Sequence, residues 1–171
     1  WSRPSRSGDV YRLTGGRPGL VKAFVEQMGA TGERPTERTF APVGAAVWEL
    51  RLKMAHGYRY DLQRLFAMLL AGHGAGVPYG RALSSFGGER LHRMVSMGAA
   101  AVRGRPFISD DQAESPRGAA CDDLVLVSPS APHLLAMEMI CRADGVEWAG
   151  GSGAEEGGEE ELAADPEPDR A

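Results

Sequence analysis

The Gly15-Gly16 pair and Pro18 can open a helix whose N-terminus holds an anion. Consecutive glycines make a turn that a ligand can approach closely, and proline suits the first turn of a helix, where its missing N–H costs nothing. The N-terminus of that helix can then receive a phosphate. A plainer reading stays open, in which Gly-Gly-x-Pro only starts a helix. A second group of cations is Arg90, Arg93, Arg103 and Arg105, whose planar guanidinium forks match phosphate geometry and which are the candidate nucleic-acid contacts. The histidines at 56, 73, 92 and 133 have no metal-ligand spacing, and His133 reads as a helix-start residue with a local hydrogen bond. Cys121 and Cys141 are far apart and form no metal or redox pair, as in a chain from a reducing compartment. Asp110-Asp111 and Asp122-Asp123 belong in or beside a polar loop, where paired acids are solvated. No catalytic set and no metal site is expected.

The elements that would position these residues follow from hydrophobic periodicity. Residues 1–9 are polar and breaker-rich, a linker or a truncated end, and Val10 to Leu13 form a short apolar approach. After Pro18, Leu20, Val21, Phe24, Val25 and Met28 share one face of a helix, with Lys22, Glu26 and Gln27 opposite. Residues 29–42 carry no periodicity and read as a long loop. Val43, Val47, Leu50 and Met54 then predict a second helix over residues 43–56, with Trp48 and Leu52 widening its apolar side.

From residue 58 the pattern changes. Asp61 is expected to cap a helix whose stripe is Leu62, Leu65, Phe66, Leu69 and Leu70. Glycines 72 to 76 end it, residues 78–86 form a short helix, and residues 89–97 form another that turns Leu91, Met94 and Val95 inward. Strands at 99–103 and 124–127 flank a polar loop, and a last helix runs from Ser130 and Pro132 through Arg142, its apolar positions being Leu134, Leu135, Met137 and Ile140. The methionines follow these apolar faces as core filler. Three helices, a strand, a wing and a returning strand give a mainly α fold with a small β-wing, the order of a winged helix. In such a fold Arg90 and Arg93 occupy the outer face of the recognition helix, and Arg103 and Arg105 the base of the wing. An ordinary solvated arginine face is the alternative.

The chain has 171 residues and a formal charge of −4, unevenly spread. Residues 149–171 carry a net −7, leaving the first 148 at +3. That acidic, glycine-rich end has too few apolar groups to fold and reads as a disordered tail. Nineteen basic residues include seventeen arginines, a bias that codon composition alone can produce. No run reaches the roughly 18 apolar residues of a membrane span, and no signal-peptide pattern opens the chain.

Leu13-Thr14-Gly15-Gly16-Arg17-Pro18-Gly19-Leu20-Val21 resembles the Gly-x-Pro segment that opens the helical lid of STAND and related AAA-like P-loop ATPases. Residues 123–133, Asp-Leu-Val-Leu-Val-Ser-Pro-Ser-Ala-Pro-His, resemble the strand and Pro-Ser-Pro-Leu-His turn that close the domain after the ATPase in crinkler and retrotransposon-hot-spot-like proteins. They differ by an extra alanine before Pro132 and a missing leucine before His133. The resemblance implies that Pro18 packs on adenine, that Gly16 permits close approach, and that Arg17 senses phosphate. It also implies a helical lid over residues 10–57 followed by a winged-helix domain over 58–148.

The chain departs from that family in having no Gly-x-x-x-x-Gly-Lys-Ser/Thr loop and no strand ending in a magnesium-binding acid. The resemblance therefore implies the back end of a larger ATPase, and the opening Trp1 agrees. Its function would be that of a C-terminal regulatory fragment, not catalytic alone, which meets ATP or ADP only in the full-length protein. Its partner would be the missing N-terminal ATPase core, with weak nucleic-acid binding and no membrane contact. The expected location is intracellular, cytoplasm or nucleus, unless a targeting segment lies upstream. Two alternatives remain: a free-standing winged-helix nucleic-acid module, and a protein-interaction adaptor.

Overall fold

The computed structural model describes residues 6–72, 75–104 and 124–149. His73, Arg105, Cys121, the expected polar loop and all but the first residue of the acidic tail lie outside them. The described chain is mainly helical, with one small antiparallel sheet. Its first helix, α1 (Arg6–Thr14), occupies part of the expected linker and all of the apolar approach. Asp9 in its first turn and Arg12 in its last complement the helix dipole. Leu13 is buried with Phe24, Phe40, Val43 and Leu135, and Val10 packs against that cluster, so α1 is held by tertiary packing that nine residues of periodicity do not announce.

Helix α2 (Pro18–Thr31) has Pro18 at its first turn and ends at Gly32, whose φ of 70° closes it. It runs two residues past the expected start of the loop. Phe24 is the buried residue of α2 and meets Phe40 edge-on at 5.9 Å, whereas Val25 and Met28, expected on the core face, are exposed. The following loop is fastened to α2 by Gln27, whose amide nitrogen donates to the Thr39 carbonyl at 2.6 Å and whose oxygen accepts from Ala41 N–H at 3.0 Å. Gln27 thereby caps α3 (Ala41–Lys53), which starts two residues earlier than periodicity predicts. Trp48 is 69% exposed and Leu52 45%, a correction to the expected apolar side. At about 100° per residue both fall far from the line of Val43, Leu50 and Met54 that enters the core.

A kinked segment, Met54–Tyr58, in which His56 and Gly57 leave helical conformation, joins α3 to α4 (Arg59–Ala71). Gly57 takes φ 98°, a conformation that a side chain would strain, and so allows the bend. Asp61 lies inside the first turn of α4 and provides no side-chain cap; the expected capping role is corrected, because the helix starts two residues before it. The chain continues through β1 (Val77–Pro78), α5 (Tyr79–Phe86), α6 (Gly88–Ser96), β2 (Ala101–Gly104), β3 (Leu124–Val127) and α7 (Ala131–Ala143). Pro78 thus belongs to a strand, not to the helix expected over 78–86. The sheet order is β1-β3-β2, all antiparallel, with Val77 opposite Leu126 and Val102 also opposite Leu126.

One core runs across the expected boundary at residue 57. Ala46, Leu50 and Met54 of α3 share it with Leu62, Leu65, Phe66 and Leu69 of α4, Leu91 and Met94 of α6, Leu126 of β3, and Met137 and Ile140 of α7. At its edge the Asp144 carboxylate, 6% exposed, accepts from Arg51 at 2.7 Å, Gln63 at 2.8 Å and Arg59 at 3.3 Å. Burial raises its pKa, but those hydrogen bonds and the two guanidinium charges outweigh burial and hold it below the ordinary carboxyl value. The same burial pushes the Cys141 thiol up to about 11, with the Asp144 charge adding to it.

Candidate functional site

The turn between α1 and α2 is built by Thr14, Gly15 and Gly16. Thr14 is fully buried; its hydroxyl donates to the Val10 carbonyl at 2.7 Å and accepts from Gly16 N–H at 3.2 Å. Gly15 and Gly16 both take positive φ, 58° and 71°. A Cβ on Gly15 would come within 3.2 Å of the Ala131 Cβ, and one on Gly16 within 3.1 Å of the Tyr11 ring. The glycines therefore permit the turn to dock on the first residue of α7, a packing role that the sequence does not disclose.

Arg17 follows in extended conformation, and its guanidinium donates to the Pro129 carbonyl at 2.8 Å. This bond links residues 112 apart and brings the Gly-x-Pro turn against the Ser-Pro-Ser turn before α7. Both segments line one cleft of about 270 Å³, together with Tyr11, Leu69, Gly76, Arg103 and Leu134. Arg17 and Arg103 share it and no carboxylate lines it. Arg103 was expected at the base of a wing facing nucleic acid. Pro18 is exposed at the start of α2 and does not line the cleft.

Ser130 caps α7, accepting from His133 N–H at 3.4 Å, and its hydroxyl meets His133 Nδ1 at 2.7 Å. His133 Nε2 faces Glu49 of α3 at 3.4 Å, and Glu49 also binds Lys53. The Lys53 hydrogen bond lowers the Glu49 pKa against a raising effect of burial, and the Lys53 charge and the His133 hydrogen bond assist. An anionic Glu49 favours the tautomer with the proton on Nε2, which leaves Nδ1 to accept from Ser130. This chain is a reciprocal helix cap that joins α7 to α3. Sequence spacing offers Ser130 and His133 three apart but gives no sign of Glu49.

Arg90 and Arg93 line a different cleft, with Gly57, Tyr58, Tyr60, Asp61 and Glu89. Arg93 donates to the Tyr58 hydroxyl at 2.7 Å and to Glu89 at 3.0 Å, with its guanidinium 5.8 Å from the Tyr58 ring centroid. That hydrogen bond raises its pKa, and Glu89 reinforces the effect. Arg90 reaches Asp61 at 3.7 Å. Each arginine of α6 thus faces an acid. Another cleft, about 440 Å³, is lined by Asp9, Arg12, Arg34, Glu37 and Arg38 among others, and is likewise mixed in charge: Arg12 pairs with Glu37 at 2.8 Å.

Among the described residues no three His, Cys, Asp or Glu side chains gather to hold a metal ion, and no helix is long and apolar enough to cross a membrane. No protein-family model matches the chain, and no curated protein or solved structure matches it.

Proposed function

We propose that this chain is a regulatory unit that couples nucleotide state to a winged-helix module, in the manner of the back end of a STAND-like P-loop ATPase. The observation that carries the reading is the Arg17–Pro129 hydrogen bond, because it joins the two segments in which the family resemblance resides. A change in the α1–α2 turn on nucleotide binding would reach the start of α7 through that bond and through the Gly15–Ala131 contact. The order helix, strand, helix, helix, strand, strand, with β3 between β1 and β2, supports the winged helix expected within residues 58–148. The shared core of α3, α4 and α7 supports transmission as a rigid body.

In this reading Pro18 is the adenine contact, its exposed position leaving it open to a ligand held mainly by an upstream ATPase core. The acids beside Arg90 and Arg93 favour a regulatory module over a nucleic-acid reader, since counterion release needs an excess of cations. The test is Pro18→Ala in the protein extended upstream to its phosphate-binding loop, with nucleotide titration paired to thermal unfolding. The reading expects nucleotide affinity to fall by more than stability does. Unchanged affinity removes the adenine contact.

A further inference from the structure

We propose that the cleft between the α1–α2 turn and the β3–α7 turn is a binding site for a diphosphate group, with Arg17 and Arg103 as its cationic contacts. Two arginines from elements remote in sequence line one cleft whose lining includes no Asp or Glu. The Arg103 side chain has no hydrogen-bond or ion-pair partner among the described residues, in contrast to those of Arg90 and Arg93. Arg17 uses part of its fork on Pro129, and a guanidinium has five N–H donors, so others remain for an anion. The Ser128 hydroxyl is committed to the Ser130 carbonyl at 2.9 Å, and that of Ser130 to the His133 cap, so the arginines are the available charged donors. Ala131, which lines the cleft, opens α7 with an N–H that has no acceptor within the helix, and the dipole of this 13-residue helix adds to the positive field.

Size selects among anions. At about 270 Å³ the cleft is smaller than the roughly 300–1,000 Å³ typical of sites for drug-sized ligands. It suits two linked phosphoryl groups better than a whole nucleotide, and paired planar forks match phosphate oxygens in two directions. The site itself stands on these residues; that its diphosphate belongs to a nucleotide rests on the function proposed above. Binding would draw Arg17 and Arg103 together and so connect the α1–α2 turn to β2 as well as to α7.

The experiment is calorimetric titration of the chain at low salt with inorganic pyrophosphate and, separately, ADP. Variants are Arg103→Gln, Arg17→Gln and, outside the cleft, Arg90→Gln, with thermal unfolding to check folding. Arg103→Gln is the decisive variant because its side chain is exposed and supports no described contact. The expected result is one saturable pyrophosphate site, weakened about tenfold or more by Arg103→Gln, as for loss of a charge-assisted hydrogen bond, and unaffected by Arg90→Gln. Tighter binding of ADP supports a nucleotide source, whereas equal affinity keeps the site but denies an adenine contact in this chain. No saturable binding of either ligand, or equal losses from Arg90→Gln and Arg103→Gln, overturns the site and leaves the lid reading to the Pro18 test.

Discussion

A Cβ placed on Gly15 would lie 3.2 Å from the Cβ of Ala131, so the α1–α2 turn and the first residue of α7 pack as closely as the backbone allows. With φ at 58°, Gly15→Ala carries both a left-handed backbone cost and a crowded contact, and the expected loss is about 1–2 kcal/mol or more. Gly29 lies within α2 and a Cβ there meets nothing within 4 Å. Gly29→Ala is therefore expected to stabilise by about 0.5–1 kcal/mol. Denaturant unfolding of both variants tests the pair, and a Gly15→Ala protein as stable as wild type contradicts the docking.

Asp144 gives the fold a dependence on acid. Its folded carboxyl titrates below the ordinary value, so its contribution is fully present above the unfolded pKa of about 3.9 and is lost as pH falls through the lower folded value. Asp144→Asn should cost about 1–3 kcal/mol at neutral pH and flatten the decline in stability below pH 4. Unfolding curves between pH 2 and 7 read both effects. A wild-type profile that matches the variant's removes Asp144 from the account.

The α6 face should bind duplex DNA weakly and without sequence preference, because Asp61 and Glu89 offset Arg90 and Arg93. Glu89→Gln leaves Arg93 without its carboxylate and should strengthen nucleic-acid binding while steepening its salt dependence by up to about one unit per cation released. Affinity measured over a salt series checks this. Tight binding by the wild type with little salt dependence would contradict the charge compensation.

The helices from α4 onward and the strand at 124–127 were legible in the sequence because their apolar positions repeat cleanly: Leu62, Leu65, Phe66 and Leu69 all enter the core, as do Leu91 and Met94. Short or tertiary-held elements were less so. Among the described side chains of α1, Val10, Leu13 and Thr14 turn inward, and β1 has only two residues, one of them proline. Trp48 and Leu52 misled because hydrophobicity alone does not say which side of α3 meets α7. At the site, local pattern points to Arg17 beside Pro18, but its partner Pro129 lies 112 residues away, beyond local pattern. Arg103, expected at the base of a wing, lies on β2 and also lines the Arg17 cleft, where the pairing of β2 with β3 places it.

The proposed coupling of the α1–α2 turn to α7 is most directly measured by backbone hydrogen exchange at Ser128 to Leu134, with and without ADP, in a protein extended upstream to the ATPase core that the proposal requires. Wild type and Arg17→Gln are compared. The account predicts that ADP alters protection of this turn in the wild type, and that the change is largely lost in Arg17→Gln when each protein is held at an ADP concentration that saturates it. A nucleotide effect of the same size in both proteins, or none in the wild type at saturating ADP, would contradict it.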